Sequence, residues 1–462
     1  MKLSVFPKFR PVLDPGFVPA VLWNRAYRAR VKADRAARGL ELALCRDDGT
    51  VFRASARILA AGAGHDELTL HYVERLFKCL LWQKGGNRLL VAGAPDVAAA
   101  LGRIYAPGGA RAFDWDFIGR QIFGAAITVK AVAEEALPAA CERPLPLGRH
   151  LDGCRIGFDL GGSDRKCAAL IDGKVVFSEE VVWDPYFQSD PLYHLEGIHD
   201  SIQRAAAHLP RVDAIGGSAA GVYVNNEVRA ASLFRGVSPE DFEQHIRRIF
   251  FTIQDRWNHI PFEVVNDGEV TALSGAMSLS ANRVLGVAMG TSEAAGYVDA
   301  SGHLRPWLNE LAFVPVDFRN EAPIDEWSGD SGCGAMYFSQ QAVARLAPAA
   351  GFDFGRLPQP EQLAQVLDAQ NGGDPRAFAI FETIGCYLGY AIAHYADFYP
   401  LSNLLILGRV TSGEGGNIII NEVETVLAHE FPDLKIRLVV PDENTKRHGQ
   451  AIAAASLPLG KS

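Results

Sequence analysis

The 462-residue sequence predicts an α/β protein in three parts: an N-terminal α/β domain over residues 1–150, then two lobes, 151–281 and 282–462, built alike with a cleft between them. Three observations lead there. Strand-like and helix-like apolar runs alternate from residue 40 to 104. A proline-rich stretch, Pro138 to Leu147, then interrupts them. After it, a strand hairpin with a glycine- and hydroxyl-bearing turn occurs twice, at Asp159-Leu160-Gly161-Gly162-Ser163 and at Gly290-Thr291-Ser292.

In the N-terminal part, Leu40 to Cys45 and Val51 to Ala56 alternate about Asp47-Asp48-Gly49, as in a β-hairpin closed by an Asp-Gly turn. Leu68 to Trp82 has helical apolar spacing and stops at Gly85-Gly86. Arg88 to Gly93 reads as a short buried strand and Pro95 to Ile104 as the helix after it. Gly108 to Asp116 is a turn whose two acids and two aromatics serve either a site or capping and packing. Pro138 to Leu147 is the expected linker. Beyond it, Ile156 to Lys174 reads as a hairpin: an apolar strand ending near Asp159, two glycines and Ser163, and a second strand closing on Asp172-Gly173. Ser201 to His208 is a short helix, Val212 to Gly216 a strand, and Phe262 to Val265 a strand ending at Asn266-Asp267, with a helix from near Glu269. Asn282 to Val298 is a strand-turn-strand.

Composition is ordinary for a globular protein, 48% hydrophobic and 21% charged. No run approaches the roughly 18 to 20 uninterrupted apolar residues of a membrane span, and prolines and charge break up Met1 to Pro11. The expectation is a cytoplasmic protein without a membrane segment. Seven scattered cysteines, never in C-x-x-C spacing, read as reduced and buried. The net charge of −9 is uneven: residues 1–150 hold 22 Lys and Arg against 14 Asp and Glu, or +8, and the remainder carries −17. Oppositely charged parts are expected to dock on one another. The alternative use of Arg25, Arg28, Arg30, Lys32, Arg35 and Arg38 is an acidic partner such as nucleic acid, but few aromatics and no zinc-finger spacing accompany them, so nucleic acid is not expected.

The Asp159 turn offers an acid, bare backbone N–H groups and a hydroxyl, which suits a nucleotide phosphate and its metal; Asp-Leu-Gly-Gly is also an ordinary exit from a strand. Asn266-Asp267 can likewise be a helix N-cap. Their order with the third motif is more telling. Asp159 to Ser163, then Val265 to Leu273, then Gly286 to Val298 resembles the actin, hexokinase and heat-shock ATPase superfamily, and within it the ROK family of bacterial sugar kinases and sugar-responsive repressors. The resemblance covers about residues 153–457.

It implies a two-lobed actin/hexokinase-like (ribonuclease H-like) fold and a set of site residues. Asp159, Gly161, Gly162 and Ser163, with Lys166, would form the first phosphate loop, and Gly290, Thr291 and Ser292 the second. Leu404 to Gly408 resembles the adenosine-side strand, with Gly408 at its turn. Asp267 would be the catalytic base that takes the proton of a sugar hydroxyl, with Asn266 and Glu310 orienting the sugar. Gly217 to Val222, holding Ser218 and Gly221, resembles the sugar-side loop without its proline, and Asn225 to Phe234 the substrate-side hairpin. Gly449 to Leu457 looks like the closing helix. ATP is the implied co-substrate, Mg²⁺ would sit at Asp159, and homodimers are common in the family.

Three departures matter. Trp307 to Asp317 resembles the family's Gly-Glu-Ile-Gly-His stretch with Phe313 in place of the histidine, and Glu326 and Ser328 replace two cysteines of the zinc segment that ends at Cys333. One soft ligand of four remains, so no zinc is expected and packing by Trp327 and Phe313 must hold the segment. In the second loop Ser292, Ala294 and Ala295 replace glycines, and Glu293 adds a carboxylate that would repel a triphosphate unless it faces away or meets magnesium. The expected function is an ATP-dependent kinase of a hexose-like sugar; the alternatives are a non-catalytic sugar or nucleotide sensor on the same fold, or action on an acyl or acidic substrate.

Overall fold

The computed structural model describes residues 3–62, 64–142, 146–440 and 443–460; residues 143–145 of the expected linker lie outside them. The N-terminal unit is a sheet of β1 (Arg38–Cys45), β2 (Val51–Ile58), β3 (Arg88–Ala92) and β4 (Thr128–Ala131) in the order β2-β1-β3-β4. Its long helix, Asp66–Lys84, has two acids in its first turn and stops where Gly85 turns to φ +76°. The predicted hairpin, strand and helix stand as expected. The basic cluster begins in a helix, Ala20–Ala33, that the alternating pattern does not announce, and the turn from Gly108 runs into helical segments at Ala112–Asp114 and Trp115–Ile122.

The first lobe holds β5 (Cys154–Leu160), β6 (Asp164–Ile171), β7 (Lys174–Val182), β8 (Ala214–Ala219) and β11 (Phe262–Asn266), in the order β11-β8-β5-β6-β7, with a separate small hairpin, β9 (Val222–Val224) and β10 (Glu227–Ala230). The second lobe holds β12 (Val284–Met289), β13 (Glu293–Val298), β14 (Asn403–Leu407) and β15 (Arg437–Val439), in the order β13-β12-β14-β15. In each lobe an antiparallel hairpin continues into parallel strands. The helix predicted at Ser201 begins a good two turns earlier, as Pro191–Ala206, because Asp190 caps it by accepting from the Leu192 N–H. The closing helix, Glu443–Ala455, crosses back to the first lobe, where a Cβ on Gly157 or Gly216 would strike the carbonyls of Ala451 or Ala454.

The second lobe is completed by helices Gln340–Ala350, Gln359–Asn371, Pro375–Tyr395 and Glu414–Glu430, which the sequence patterns leave unannounced. Pro375–Tyr395 has the length and hydropathy to cross a bilayer, but 83% of its apolar window is buried inside the protein. It packs between the other lobe-two helices and the first helix of the chain.

The N-terminal unit and the second lobe share one hydrophobic core. Tyr27, Phe77, Trp82 and Ile118 of the unit belong to the same buried cluster as Tyr337, Ile380, Tyr387 and Val423. Residues before the first helix run as a strap over the second lobe. The Phe9 N–H donates to the Tyr390 hydroxyl, the Leu13 N–H to Thr383 Oγ1 and the Val18 N–H to Asp317 Oδ1. Asp14 is held by Arg319, Arg345 and the Tyr387 hydroxyl.

Opposite charges also meet across the boundary. Asp330, in the segment that resembles the family's zinc segment, is 2% exposed and lies 2.8 Å from Lys78 Nζ, 2.7 Å from Arg111 and 3.4 Å from Arg75, all of the N-terminal unit. Glu74 binds Arg75 and Arg111 at 2.6 and 2.7 Å, and Asp114 binds Lys78 at 2.9 Å. Asp114 thus spends its charge on packing rather than on a site. Arg28 reaches Asp397 at 2.7 Å, and Arg25 stacks on Phe431. Phe313 lies against Trp82 at 4.3 Å, and Trp327, though 55% exposed, meets Phe113 and Phe117 edge-on. The two aromatics expected to hold this segment do so by packing on the N-terminal unit. Replacing Lys78 by Met leaves Asp114 and Asp330 buried with less positive charge, and chemical unfolding should register a loss of about 3–5 kcal/mol; an unaltered midpoint would remove the cluster from the stability of the junction.

Candidate functional site

The end of β11 sets the centre of the site. Asn266 caps the helix Asp267–Ser278: its Oδ1 accepts from the Gly268 N–H at 2.7 Å, while its Nδ2 donates to the Gly221 carbonyl at 2.7 Å. Capping therefore falls to Asn266. The Asp267 carboxyl accepts from the Gly268 N–H at 3.0 Å, and burial raises its pKa above the ordinary value against the pull of that N–H and its own. The helix start lies directly on β13, since a Cβ on Gly296 would strike the Gly268 carbonyl.

Asp159, at the end of β5, is 7% exposed and accepts from Ser218 Oγ at 2.6 Å. Burial, then the neighbouring charge of Asp267, lifts its pKa to about 6 against the pull of Ser218 and Lys166. Ser218, expected among the sugar contacts, is instead fully buried beneath Asp159: it sits on β8, whose residues pair with β5, and its hydroxyl has one carboxylate to serve. In the first turn the Gly161 N–H donates to the Asp164 carbonyl, and Trp183 covers the Gly161 and Ser163 carbonyls through its indole and backbone N–H groups. The Gly162 and Ser163 N–H groups have no protein acceptor among the described residues. A Cβ on Gly162 would fall on the Tyr186 hydroxyl. Ser163 Oγ donates to Asp164, and Lys166 lies 3.3 Å from that same carboxylate.

The second turn is tied by the Gly290 N–H to the Ser292 carbonyl and by the Gln340 N–H to the Gly290 carbonyl; Thr291 and Ser292 are exposed. Gly408, at φ +105°, abuts the Met289 carbonyl where no side chain fits, which brings the end of β14 against this turn. Glu293 faces away from it. Successive residues of β13 point to opposite faces, and Glu293 turns into the second lobe at 3% exposure. There Oε1 accepts from Tyr395 at 3.3 Å, and Oε2 has no partner. Burial pushes its pKa to about 8.

A cleft of about 380 Å³ is lined by Gly221, Asn225, Asn226, Glu263, Asn266, Glu269, Arg305, Trp307 and Glu310, and also by Arg46, Asp48, Thr50 and Phe123 of the N-terminal unit. Glu310 makes no hydrogen bond or ion pair through its carboxyl among the described residues; burial and then the Asp267 charge bring it to about 8. Glu269 reaches about 8 through burial, against the pull of Asn309 Nδ2, which donates to it at 3.3 Å, and of the Asn266 backbone N–H. Asn309 stands at φ +52° and also accepts from the Tyr399 hydroxyl at 3.0 Å. The turns at 161–163 and 290–292 and Gly408 are not in the wall of this cleft.

No protein-family model matches the sequence, and no curated protein matches it. Solved structures do. The ROK hexokinase of Thermus thermophilus is 18% identical, with a TM-score of 0.53 over 66% of this chain and 97% of its own.

The two lobes have the ROK hexokinase fold.

A ROK glucokinase from Streptomyces griseus, in complex with glucose and AMPPNP, is 19% identical over 66% of this chain and 99% of its own, with a TM-score of 0.48. A ROK family transcriptional regulator homologous to the E. coli Mlc protein is 20% identical over 66% and 79%, with a TM-score of 0.49. Within the ROK fold, the chain brings Asn266, Asp267, Gly221 and Glu310 together with Asp159, and moves Ser218 behind that row. Glu263 and Glu269 escape the motif reading, although Glu269, two residues beyond Asp267, was in view as the start of a helix. Arg46, Thr50 and Phe123 carry no signal, since nothing local in sequence ties them to Gly221, Asn266 and Glu310, about 100 or more positions away. Among the described residues no group of three or more His, Cys, Asp or Glu could hold a metal ion.

Glu293 yields a prediction. Its folded pKa of about 8 lies above the ordinary 4.5, so the folded protein holds this proton where the unfolded chain has released it, and the stability it contributes is lost as pH rises from about 4.5 to 8. The Glu293→Gln variant should therefore melt higher than the wild type at pH 8.5 and no higher at pH 5. Equal differences at both pH values would mean that the carboxyl is ionised throughout.

Proposed function

We propose that the chain is a ROK family member acting as a carbohydrate kinase, transferring the γ-phosphoryl group of ATP to a hydroxyl of a hexose-like sugar. The observation that carries this reading is the Asp267 carboxyl, relieved of capping by Asn266 and close enough for its charge to act on both Asp159 and Glu310, the latter in the wall of a sugar-sized cleft. A sugar hydroxyl is a weak acid, so a carboxylate that accepts its proton as the new bond forms lowers the barrier. The proton passes to Asp267, the sugar oxygen bonds to phosphorus, and the bond from phosphorus to the ADP oxygen breaks.

Asn266 and Glu310 would orient the sugar, with Gly221 at their side. The Gly162 and Ser163 N–H groups, Lys166 and Gly161 would hold phosphate from one lobe, and Gly290, Thr291, Ser292 and Gly408 the nucleotide from the other. Asp159 suits a hard cation: it is a carboxylate with one oxygen engaged by Ser218 and one without a protein donor among the described residues. Mg²⁺ bound there would neutralise phosphate charge, its remaining ligands being phosphate oxygens and water. The inward turn of Glu293 removes the repulsion that its position in the sequence suggests. A sugar kinase of this kind is expected in the cytoplasm.

ADP release from Mg-ATP against hexoses, N-acetylhexosamines and sugar acids tests the reading. Sugar-dependent turnover should fall about 10²–10⁴-fold in Asp267→Asn while sugar binding persists. Unchanged turnover in the variant would take Asp267 out of the mechanism, and sugar binding without any turnover would favour a sensor.

A further inference from the structure

The N-terminal unit lies outside residues 153–457, which carry the ROK resemblance, yet it reaches the cleft in two ways. The first is through backbone. The last turn of helix Asp66–Lys84 leaves carbonyls without partners within the helix, and these are taken up by the substrate segment: the Glu310 N–H donates to the Trp82 carbonyl at 3.0 Å and the Asn309 N–H to the Gln83 carbonyl at 2.9 Å. Lys84 Nζ lies 2.8 Å from the centre of the Trp307 ring. The helix end thereby fixes the stretch that presents Glu310, the stretch adjoining the segment for which the resemblance implies zinc elsewhere.

The second is through side chains. Arg46 is 7% exposed, donates from Nε to the Gly85 carbonyl at 3.1 Å and from Nη2 to the Lys84 carbonyl, and lies between the rings of Phe52 and Phe123 at 5.2 and 5.1 Å. Among the described residues no carboxylate pairs with it and Nη1 has no acceptor, although the residue lines the cleft. Thr50, 7% exposed, lines the cleft with its hydroxyl equally unengaged. The ROK-lobe wall is rich in acceptors, with Glu263, Glu269 and Glu310, which suit sugar hydroxyls as donors. Arg46 offers the converse, a charged donor for an oxygen that carries no proton. The β9–β10 hairpin closes the arrangement, since Val222 lies in the same buried cluster as the unit.

We propose that the N-terminal unit is an integral part of the sugar site, with Arg46 and Thr50 as specificity residues that select a sugar bearing an acyl or carboxylate oxygen and with the carbonyl end of Asp66–Lys84 positioning Glu310. This rests on the kinase reading for its substrate, but not for its measurement. Sugar dissociation constants are taken without nucleotide for hexoses, N-acetylhexosamines and hexuronic acids, beside KM and kcat with ATP. Arg46→Met should weaken the substituted sugars about tenfold more than it weakens an unsubstituted hexose, the loss of one hydrogen bond to a charged group, while the KM for ATP stays within about twofold; the two kinds of sugar tell acyl from carboxylate recognition. Thr50→Val, which leaves the hairpin backbone intact, should weaken the same sugars a few-fold.

Amide exchange at Asn309 and Glu310 should quicken in Arg46→Met, because the helix end loses its clamp, and not in Thr50→Val. Variants that bind every sugar as the wild type does, with exchange unaltered, overturn the inference while leaving the kinase reading untouched. A wild type that binds a substituted sugar without phosphorylating it overturns the kinase reading and leaves Arg46 to be judged by the dissociation constants. Failure of the wild type to bind any of the sugars overturns both.

Discussion

A carboxylate taken out of water must be answered by positive charge, and Asp330 is answered by three cations from another part of the chain. Burial pushes its pKa up, but Lys78 and Arg75 outweigh that and hold it below the ordinary value. With Glu74 and Asp114 included, three cations face three carboxylates in a nearly dry interior, so the cluster is neutral as a whole while no member can be withdrawn cheaply. Such a cluster adds little to stability compared with an apolar core of the same shape. Its effect is on register: it allows one docking of helix Asp66–Lys84 on the segment that ends at Cys333. The carbonyl end of the helix then meets Asn309 and Glu310, and the β1–β2 turn arrives at the cleft.

The local part of this arrangement is legible in the sequence. The hairpins about Asp48-Gly49 and Gly162-Ser163 declare themselves through alternation and turn residues, and the pair Asn266-Asp267 through its place between a strand and a helix. Two residues show the limit of the motif. Glu293 adjoins the second turn, but a strand sends successive side chains to opposite sides and it turns into the lobe, while Ser218 stands level with Asp159 on the neighbouring strand, where that carboxylate takes its hydroxyl. A linear motif identifies the neighbourhood of such a residue, not the face it takes.

What the sequence does not display is longer in range. Arg46 and Thr50 have no spacing relation to Glu310, and the helix Pro375–Tyr395 is buried over so much of its surface that the amphipathic stripe of a surface helix is lost. The charge imbalance between residues 1–150 and the rest was a faithful sign that the parts belong together, because Arg28, Arg75, Lys78 and Arg111 find acids across the boundary. It carried no information about which acids. The boundary near residue 150 is a boundary in sequence, while the core ignores it.

The strap and the ion cluster bear on the order in which the molecule is made. Phe9 and Leu13 have partners 381 and 370 residues further along the chain, and Arg75 waits for Asp330, 255 residues later. At a synthesis rate of about 5–20 residues per second, Arg75, Lys78 and the apolar face around them stay without their partners for on the order of 10 to 50 s. Residues 1–150 thus leave the ribosome in a form that cannot bury the face they share with the second lobe. Their maturation waits for the segment around Asp330, and a premature stop anywhere before it leaves a fragment with an exposed core and a stranded cluster of charge.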